Sequence, residues 1–299
     1  MQPVRQLFTD GTGEFFEKDY LVPMLLRDEI RVRSIMTGIC RSDVDMMIGD
    51  FTLLPPNMHG HEGLGQVIAV GNDIDDCVKG DYVATRGEPA YADMYNCKIG
   101  TYCVVPEAKP EYIIEPVACA VNMEMVCHDE LKQRDGGKMI IIGTGFLAKV
   151  FHQTVLQSSD YSYDISVLGK SNVDYWGNAL VNIGQDGYDV VVDLKGSNII
   201  KDVKVNPNAM LILASAPNRE YNFPFEDWLW NNVTIKMPSP RAETFHNAMK
   251  LATKMVSQGK INLDNVWTNS YNRETNWKQG FADALNRPAN YSRGYIKWN

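Results

Sequence analysis

An apolar strand that runs through a glycine turn into a helix constrains the fold more than any other feature of the sequence. Residues 138–142 read Lys-Met-Ile-Ile-Ile, and residues 143–148 read Gly-Thr-Gly-Phe-Leu-Ala. In such a turn the first glycine permits a tight bend, the second lets the main chain approach a pyrophosphate, and a small third residue keeps helix and strand close. A turn that binds nothing is the alternative, but the strand–turn–helix context favours a nucleotide. The predicted dinucleotide-binding residues are Gly143, Gly145, Phe146, Leu147 and Ala148.

The residues after this turn alternate between apolar runs and helical stretches. Helices are predicted over 146–157 and from Pro240 to just before Gly259. Strands are predicted at 165–168, 189–193, 210–213 and 233–235. Strands that alternate with helices are joined by right-handed crossovers and form a parallel sheet buried on both faces. Residues 121–264 are therefore predicted to form a doubly wound α/β domain of the Rossmann type.

Residues 1–120 have a different pattern, in which short apolar runs are separated by turn residues. Examples are the runs Glu29–Arg33 and Gln66–Val70, the second of which ends at a Gly-Asn-Asp turn signal. This region is predicted to be β-rich. The tail after Ile261 is polar and is interpreted as irregular.

Composition and charge exclude several classes of protein. The 299 residues include 29 Lys and Arg against 37 Asp and Glu, and the net charge of -8 argues against a non-specific nucleic-acid partner. No apolar run approaches the ~20 residues that span a bilayer, and the first residues lead into acidic side chains rather than an apolar signal core. Six cysteines are too few for a disulfide scaffold in a chain of this length, so a cytoplasmic location is expected.

The end of the second predicted strand bears on the choice of cofactor. NAD-binding turns usually have an acidic residue about 20 positions beyond the glycines, which accepts hydrogen bonds from the ribose 2′-hydroxyl. The sequence over 168–171 reads Leu-Gly-Lys-Ser and has no carboxylate. Lys170 and Ser171 are suited to hold a 2′-phosphate, which favours NADP over NAD. A solvated lysine is the alternative interpretation.

Two segments of the N-terminal region carry side chains that bind metals. Residues 38–43 read Gly-Ile-Cys-Arg-Ser-Asp, and residues 59–65 read His-Gly-His-Glu-Gly-Leu-Gly. A thiolate, an imidazole and one or two carboxylates are ligands that zinc takes. Taken separately, Cys40 and His61 have ordinary alternatives, a buried thiol and a hydrogen-bonded turn histidine.

In their order along the chain, these motifs resemble the zinc-containing medium-chain alcohol dehydrogenase family. The resemblance rests on 38–43, 60–65, Gly71, Gly80-Asp81, the glycine turn, 187–193 with 196–197, 259–261 and 294–297. It covers nearly the whole chain. It implies a β-rich GroES-like catalytic domain formed by 1–120 with a return at 265–299, beside the Rossmann domain at 121–264.

The resemblance also implies one catalytic zinc ion. Cys40 and His61 would be ligands, and Glu62 would be a direct or an exchangeable one. Glu115 lies in a Glu-Pro segment similar to that of the polyol, glucose and threonine dehydrogenase branch, where it takes the place of the second cysteine of simple alcohol dehydrogenases. Cys119 is a rival ligand, although a buried thiol is the favoured interpretation of it.

Catalytic roles follow from the same resemblance. Arg41 would lie near the cofactor pyrophosphate, and Ser42 would exchange the substrate proton. Asp43 would fix the tautomer of the ligand histidine, as metal-bound imidazoles normally require. Glu62 is placed with Ser42 and Asp43 in the catalytic group.

The chain departs from the family pattern in ways that affect the prediction. Many relatives carry a four-cysteine lobe that binds a structural zinc, whereas residues 85–110 contain only Cys97 and Cys103, so no structural zinc is expected. Many also have a histidine five positions after the ligand cysteine that passes the proton to solvent, where this chain has Asp45. The chain is also short for the family.

The resulting prediction is a zinc-dependent oxidoreductase that transfers hydride between NADP(H) and an alcohol, polyol or sugar and its carbonyl form. The alternatives are a zinc-free reductase of the same superfamily and a non-catalytic, nucleotide-binding regulatory module. The predicted partner is a small alcohol or carbonyl substrate, without nucleic acid or membrane. Relatives pair through the edge strand of the Rossmann sheet, here Val233–Met237, so a homodimer or homotetramer is expected.

Overall fold

The chain divides into two units in the computed structural model, which describes residues 3–170, 173–183, 186–196, 198–215 and 222–298. One unit comprises Met1–Ala118 and Met249–Asn299, and the other comprises Cys119–Ala248. The first unit therefore combines both ends of the chain, and the second is one continuous segment.

The described residues form fourteen strands and seven α-helices. The strands are β1 (Pro3–Thr9), β2 (Phe15–Leu21), β3 (Glu29–Gly38), β4 (Gly63–Val70), β5 (Tyr82–Thr85), β6 (Met94–Lys98), β7 (Tyr102–Val105), β8 (Lys138–Ile142), β9 (Asp164–Leu168), β10 (Tyr188–Asp193), β11 (Val205–Leu213), β12 (Thr234–Lys236), β13 (Trp267–Asn272) and β14 (Arg293–Lys297). The helices are α1 (Arg41–Met47), α2 (Glu115–Lys132), α3 (Phe146–Leu156), α4 (Val173–Trp176), α5 (Phe225–Trp230), α6 (Phe245–Ser257) and α7 (Trp277–Asn286). Short 3-10 helices occur at Pro56–Met58, Pro110–Tyr112, Gly177–Ala179 and Asn198–Asp202.

A seven-stranded sheet forms the framework of the first unit. Its order is β13-β14-β3-β4-β5-β7, with β6 paired to β3, while β1 and β2 form a separate antiparallel pair. Ile30 and Val32 alternate with more exposed neighbours along β3, as expected of a strand with one buried face. Phe15, Tyr91 and Phe281 pack together in the core of this unit, with Phe15 and Phe281 stacked at 3.8 Å.

The pairing of the central strands determines where three loops meet. β3 is antiparallel to β4, so that Thr37 lies opposite Gly63, and antiparallel to β14, so that Gly38 lies opposite Tyr295. The end of β3, the start of β4 and the start of β14 therefore lie at the same edge of the sheet.

The second unit contains the parallel sheet that the sequence predicts. Its five strands have the order β12-β11-β10-β8-β9, and every pairing is parallel. Residues 139–142 of β8 are completely buried, which explains their uniformly apolar sequence. The predicted α/β fold class is thus confirmed.

The edge of this sheet beyond β9 is reduced. The usual doubly wound order places a further strand there, but the described residues form only a single parallel bridge, between Val167 and Leu180. The crossover that leads to Leu180 contains α4 and one 3-10 turn. No pattern in the sequence had indicated this reduction.

Two interpretations of the C-terminal half were wrong. The helix predicted to begin at Pro240 begins at Phe245, because Ser239 instead accepts N–H groups in a turn, from Arg241 at its hydroxyl and from Ala242 at its carbonyl. The tail after Ile261 is not irregular, since it forms β13, α7 and β14. The apolar residues of α7, which include Trp277 and Phe281, recur four positions apart and pack into the core.

None of the helices in the described residues combines the length and the hydropathy that a bilayer-spanning helix needs.

Candidate functional site

Three potential metal ligands lie at the shared sheet edge of the first unit. Cys40 follows β3 and is the N-cap residue of α1, and His61 and Glu62 directly precede β4. One donor atom from each of these side chains lies within 4.8 Å of the others. The set contains a sulfur, a nitrogen and an oxygen, which are the donor types of a catalytic zinc site.

Asp43 supports the histidine of this group. The residue is 1% exposed, and its Oδ1 lies 3.7 Å from His61 Nδ1. The other carboxylate oxygen accepts hydrogen bonds from the Tyr91 hydroxyl, at 2.8 Å, and from the Cys40 backbone N–H, at 3.1 Å. The placement of Asp43 beside Nδ1 leaves Nε2 as the ring atom for a metal.

The electrostatic surroundings of His61 favour a cationic partner. Burial alone would lower the pKa of His61, but the neighbouring Asp43 carboxylate and the Cys40 thiol raise it well above its usual range. The negative charges that favour a proton on the His61 ring also favour a divalent cation there. A metal ion that binds His61 therefore replaces that proton.

Glu62 is held by an arginine that the sequence analysis had missed. Both carboxylate oxygens of Glu62 accept hydrogen bonds from Arg293 Nη2, and both side chains are largely buried. The Arg293 guanidinium also lies over the Trp267 ring, 5.1 Å from its centroid. Arg293 is the first residue of β14. The only feature of the sequence that could have indicated its role is a cation at the start of a short apolar run.

Glu115 is outside the three-donor group but interacts electrostatically with His61 and Glu62. It is the first residue of α2, is 2% exposed and forms an ion pair with Arg86 Nε at 3.4 Å. Burial raises the pKa of Glu115, and the nearby His61 opposes that shift. Among the described residues, the donor group comprises Cys40, His61 and Glu62 without Glu115.

The two residues that follow Cys40 begin α1. The Ser42 hydroxyl donates to the Cys40 sulfur at 3.2 Å, which places an exchangeable proton beside the donor group. Arg41 is exposed and forms an ion pair with Asp45 at 2.7 Å, one helical turn away. Asp45, which takes the position of the family's relay histidine, is therefore already paired with a cation.

The remaining cysteines lie outside this donor group. None of the six cysteines, all of which lie in the described part of the chain, forms a disulfide. Cys77, Cys97, Cys103 and Cys127 are buried, whereas Cys119 is half-buried. Burial raises the pKa of Cys103 to about 11 and that of Cys127 to about 12, so these two thiols stay protonated near neutral pH.

The glycine turn of the second unit has the geometry that an anion site requires. Gly143 has a φ of +122°, which disfavours any residue with a side chain. A Cβ at Gly145 would meet no atom within 4 Å, so the backbone there is open to a ligand. Gly145 is also the N-cap of α3 and has no side chain that could cap the helix.

The other residues predicted to bind the cofactor differ in their exposure to solvent. Ala148 is buried, and Phe146 and Leu147, which begin α3, are half-buried. Lys170 is exposed just beyond β9. Ser171 lies outside the described residues.

The first unit thus carries a sulfur–nitrogen–oxygen donor group, and the second carries a glycine turn at the start of a helix. Residues 27–121 match the family model of the alcohol dehydrogenase GroES-like domain. This match covers about a third of the chain and supports the resemblance of its motifs to the zinc-containing medium-chain alcohol dehydrogenase family.

Individual relatives support this assignment over different lengths. Sorbitol dehydrogenase of Mus musculus is 36% identical over 105 residues, which cover 33% of this chain and 29% of that protein. D-arabinitol dehydrogenase 1 of Uromyces fabae is 23% identical over 235 residues, or 62% of this chain and 66% of that protein. The aligned part of this chain thus spans less than a third of the length of the sorbitol dehydrogenase.

Solved structures extend the likeness to the whole fold. The 2R,3R-butanediol dehydrogenase of Bacillus subtilis superposes with a TM-score of 0.78 at 15% identity, over 99% of this chain and 100% of that one. At this identity the comparison shows a shared fold.

Proposed function

We propose that the chain is a zinc-dependent oxidoreductase that transfers hydride between NADP(H) and an alcohol, polyol or sugar and its carbonyl form. The observation that carries the proposal is the convergence of the donor atoms of Cys40, His61 and Glu62 within 4.8 Å. The relatives named for sorbitol and D-arabinitol support a polyol substrate.

The donor group fits zinc in its chemistry. Cys40 offers a thiolate, His61 offers Nε2 with Asp43 behind the ring, and Glu62 offers a carboxylate that can exchange between Arg293 and a metal. When bound, a catalytic zinc ion polarises a carbonyl oxygen or lowers the pKa of a substrate hydroxyl. Glu115, which pairs with Arg86 through one carboxylate oxygen, would be a fourth ligand.

Ser42 is the proton-exchanging group in this proposal. In the oxidation, the substrate hydroxyl gives its proton to Ser42 Oγ, and Ser42 releases its own proton toward solvent. A nicotinamide cofactor held at the glycine turn by Gly143 and Gly145 would accept the carbinol hydrogen together with the electron pair of its C–H bond. The reduction of a carbonyl reverses both transfers.

The preference for NADP over NAD is inferred from the residue that follows β9, the next strand after the glycine turn. The N–H groups at the start of α3 suit the pyrophosphate. Lys170 is an exposed cation where NAD enzymes usually place a carboxylate, so it suits a 2′-phosphate. We therefore assign NADP(H), with one zinc ion per chain.

A zinc-free reductase is the second candidate, and the Glu62–Arg293 pair is the observation that favours it. A guanidinium already neutralises the Glu62 carboxylate, so part of the donor group is charge-balanced without a metal. In such an enzyme, Arg293 and Ser42 would polarise the carbonyl through hydrogen bonds.

Metal analysis and kinetics of one pair of variants separate these candidates. Cys40→Ala is expected to lose zinc and turnover while NADPH affinity stays close to wild type. Cys77→Ala, a buried cysteine of the same unit that lies outside the donor group, is the matched control and is expected to keep both. Zinc-free protein that reduces aldehydes or ketoses at the wild-type rate would establish the second candidate instead.

The exposed edge of the parallel sheet supports the expected homodimer or homotetramer. β12 is an edge strand, and Leu229, Trp230 and Met237 beside it are exposed by 61%, 79% and 69%. Apolar side chains at an unpaired edge suit a contact between copies of the chain. Light scattering of wild type and Trp230→Glu tests this contact, since the variant is expected to shift toward the monomer.

A further inference from the structure

The short helix α4 contacts the glycine turn of the second unit. Trp176, the last residue of α4, is 4% exposed. Its indole N–H donates to the Thr144 carbonyl oxygen at 3.3 Å. Thr144 is the residue between the two glycines of the turn, so the contact falls on the backbone that faces a bound dinucleotide.

This hydrogen bond orients the peptide group that joins Thr144 to Gly145. A trans peptide is planar, and its C=O and N–H groups point in opposite directions. Because Trp176 holds the carbonyl, the Gly145 N–H points away from the indole. A Cβ at Gly145 would meet no atom within 4 Å, so there is room beside this peptide for a ligand.

Other contacts hold Trp176 and Thr144 in place. The Trp176 ring packs edge-on against His152 of α3 at 5.1 Å. On the other side, a Cβ at Gly169 would lie 2.3 Å from the Thr144 side chain, so β9 approaches the turn as closely as a glycine allows. The crossover that contains α4 is joined to the edge of the sheet by the bridge between Val167 and Leu180.

We infer that Trp176 is a positioning residue for the dinucleotide pyrophosphate, acting through the Thr144–Gly145 peptide. The inference rests on the proposed dinucleotide function and deepens it. Trp176 touches neither the reacting carbon nor the nicotinamide in this role. Its contribution is to hold one N–H donor in the orientation that the pyrophosphate requires, so the donor need not be ordered when the cofactor binds.

Titration of NADPH and NADH into Trp176→Phe tests the inference. A neutral hydrogen bond contributes about 1 kcal/mol, so the dissociation constant is expected to rise about fivefold. The factor is expected to be the same for both dinucleotides, because they share the pyrophosphate. In steady state, the KM for the dinucleotide should rise, while kcat at saturation and the KM for the alcohol stay unchanged.

Two control variants separate positioning from general destabilisation. Tyr175→Phe removes the hydroxyl that bonds to His152 at 2.9 Å in the same short helix, and Trp228→Phe removes another buried indole N–H of this unit. Both are expected to bind NADPH as wild type does. Incorporation of 3-benzothienylalanine at position 176 keeps the bicyclic shape without the N–H, and it should reproduce the fivefold loss if the phenylalanine variant does not fold.

Wild-type affinity in the benzothienyl variant, or an equal loss in both controls, would overturn the role of Trp176. Wild-type protein that binds neither dinucleotide would instead overturn the proposed function itself, and the two failures are therefore distinguishable.

Discussion

The carboxylate of Glu62 and the guanidinium of Arg293 form a buried ion pair although 231 positions separate them in the sequence. Each residue lies next to the end of a strand, Glu62 before β4 and Arg293 at the start of β14, and both strands pair with β3. The pair therefore depends on the C-terminal segment closing the sheet of the first unit. In the proposed enzyme, a metal ion would compete with Arg293 for the Glu62 carboxylate.

Loss of Arg293 alone should destabilise the fold. Arg293→Met leaves Glu62 buried without its cation, and we expect a decrease of about 3 kcal/mol in the free energy of unfolding of zinc-free protein. Zinc should restore part of this loss, because the released carboxylate then binds the metal. Urea denaturation with and without zinc measures both effects.

The double variant Arg293→Met/Glu62→Gln is the control for this prediction. It removes both charges and should be more stable than Arg293→Met in the absence of zinc. Equal stability of the two variants would show that an unpaired Glu62 carboxylate does not destabilise the fold.

Tyr91 should affect metal binding through Asp43. Tyr91→Phe removes the hydroxyl that donates to the Asp43 carboxylate at 2.8 Å, and partners of this kind typically change metal affinity about 10-fold or more. We expect zinc to be bound about tenfold more weakly, as measured by competition with a chromophoric chelator.

Tyr95→Phe is the matched control for the tyrosine. Tyr95 is as buried as Tyr91, but its hydroxyl bonds to Thr85 at 2.7 Å. It should lose stability without a change in zinc affinity. If both variants bind zinc alike, Asp43 does not act on the metal through Tyr91.

The sequence predicted the parts of the fold that depend on local pattern. The fully apolar run of β8 and the G-x-G-x-x-A turn are contiguous, and the structure confirms the parallel sheet that they imply. Likewise, Cys40 and His61 lie in short motifs that resemble a known family. Arg293 was missed because its role comes from strand pairing at long range and not from any neighbouring residue.

The errors in the C-terminal half have a similar origin. Pro240 suits the first turn of a helix, but Ser239 accepts two N–H groups and forms a turn that delays the helix to Phe245. Trp277 and Phe281 have helical spacing, yet the polar residues around them hid a helix whose burial depends on the rest of the core. Local periodicity cannot show which face of such a segment will be covered.

Reversal of the charge at Lys170 should change the cofactor preference. A carboxylate there repels a 2′-phosphate and accepts hydrogen bonds from a bare ribose. Lys170→Glu is expected to lower kcat/KM for NADPH at least about tenfold relative to NADH, a difference of about 1.4 kcal/mol. Lys260→Glu, an exposed lysine of the other unit, should leave the ratio unchanged. An unchanged ratio in Lys170→Glu would refute the assignment of NADP(H) to this residue.

Two histidines of the second unit should give opposite pH dependences of stability. His128 bonds to Glu124 at 2.7 Å and to Asp160 at 3.1 Å, and the Glu124 hydrogen bond raises the pKa of His128. Its contribution is therefore complete below the unfolded pKa of about 6.5 and is lost as the pH rises through the higher folded pKa. Burial lowers the pKa of His152, so its neutral form is favoured in the fold and stability falls as the pH drops below about 6.5.

Substitution of each histidine by asparagine measures these contributions. At pH 5.5, His128→Asn should be less stable than wild type by about 0.5 kcal/mol, a small value because the side chain is 35% exposed and its ion pairs are screened. This deficit should shrink by pH 9. His152→Asn should show the reverse trend and lose less stability at pH 5.5 than at pH 9, because wild type carries the protonation penalty only at the lower pH. Urea denaturation at the two pH values measures the stability of each variant. If both variants change in the same direction with pH, the opposite pKa shifts described for His128 and His152 are contradicted.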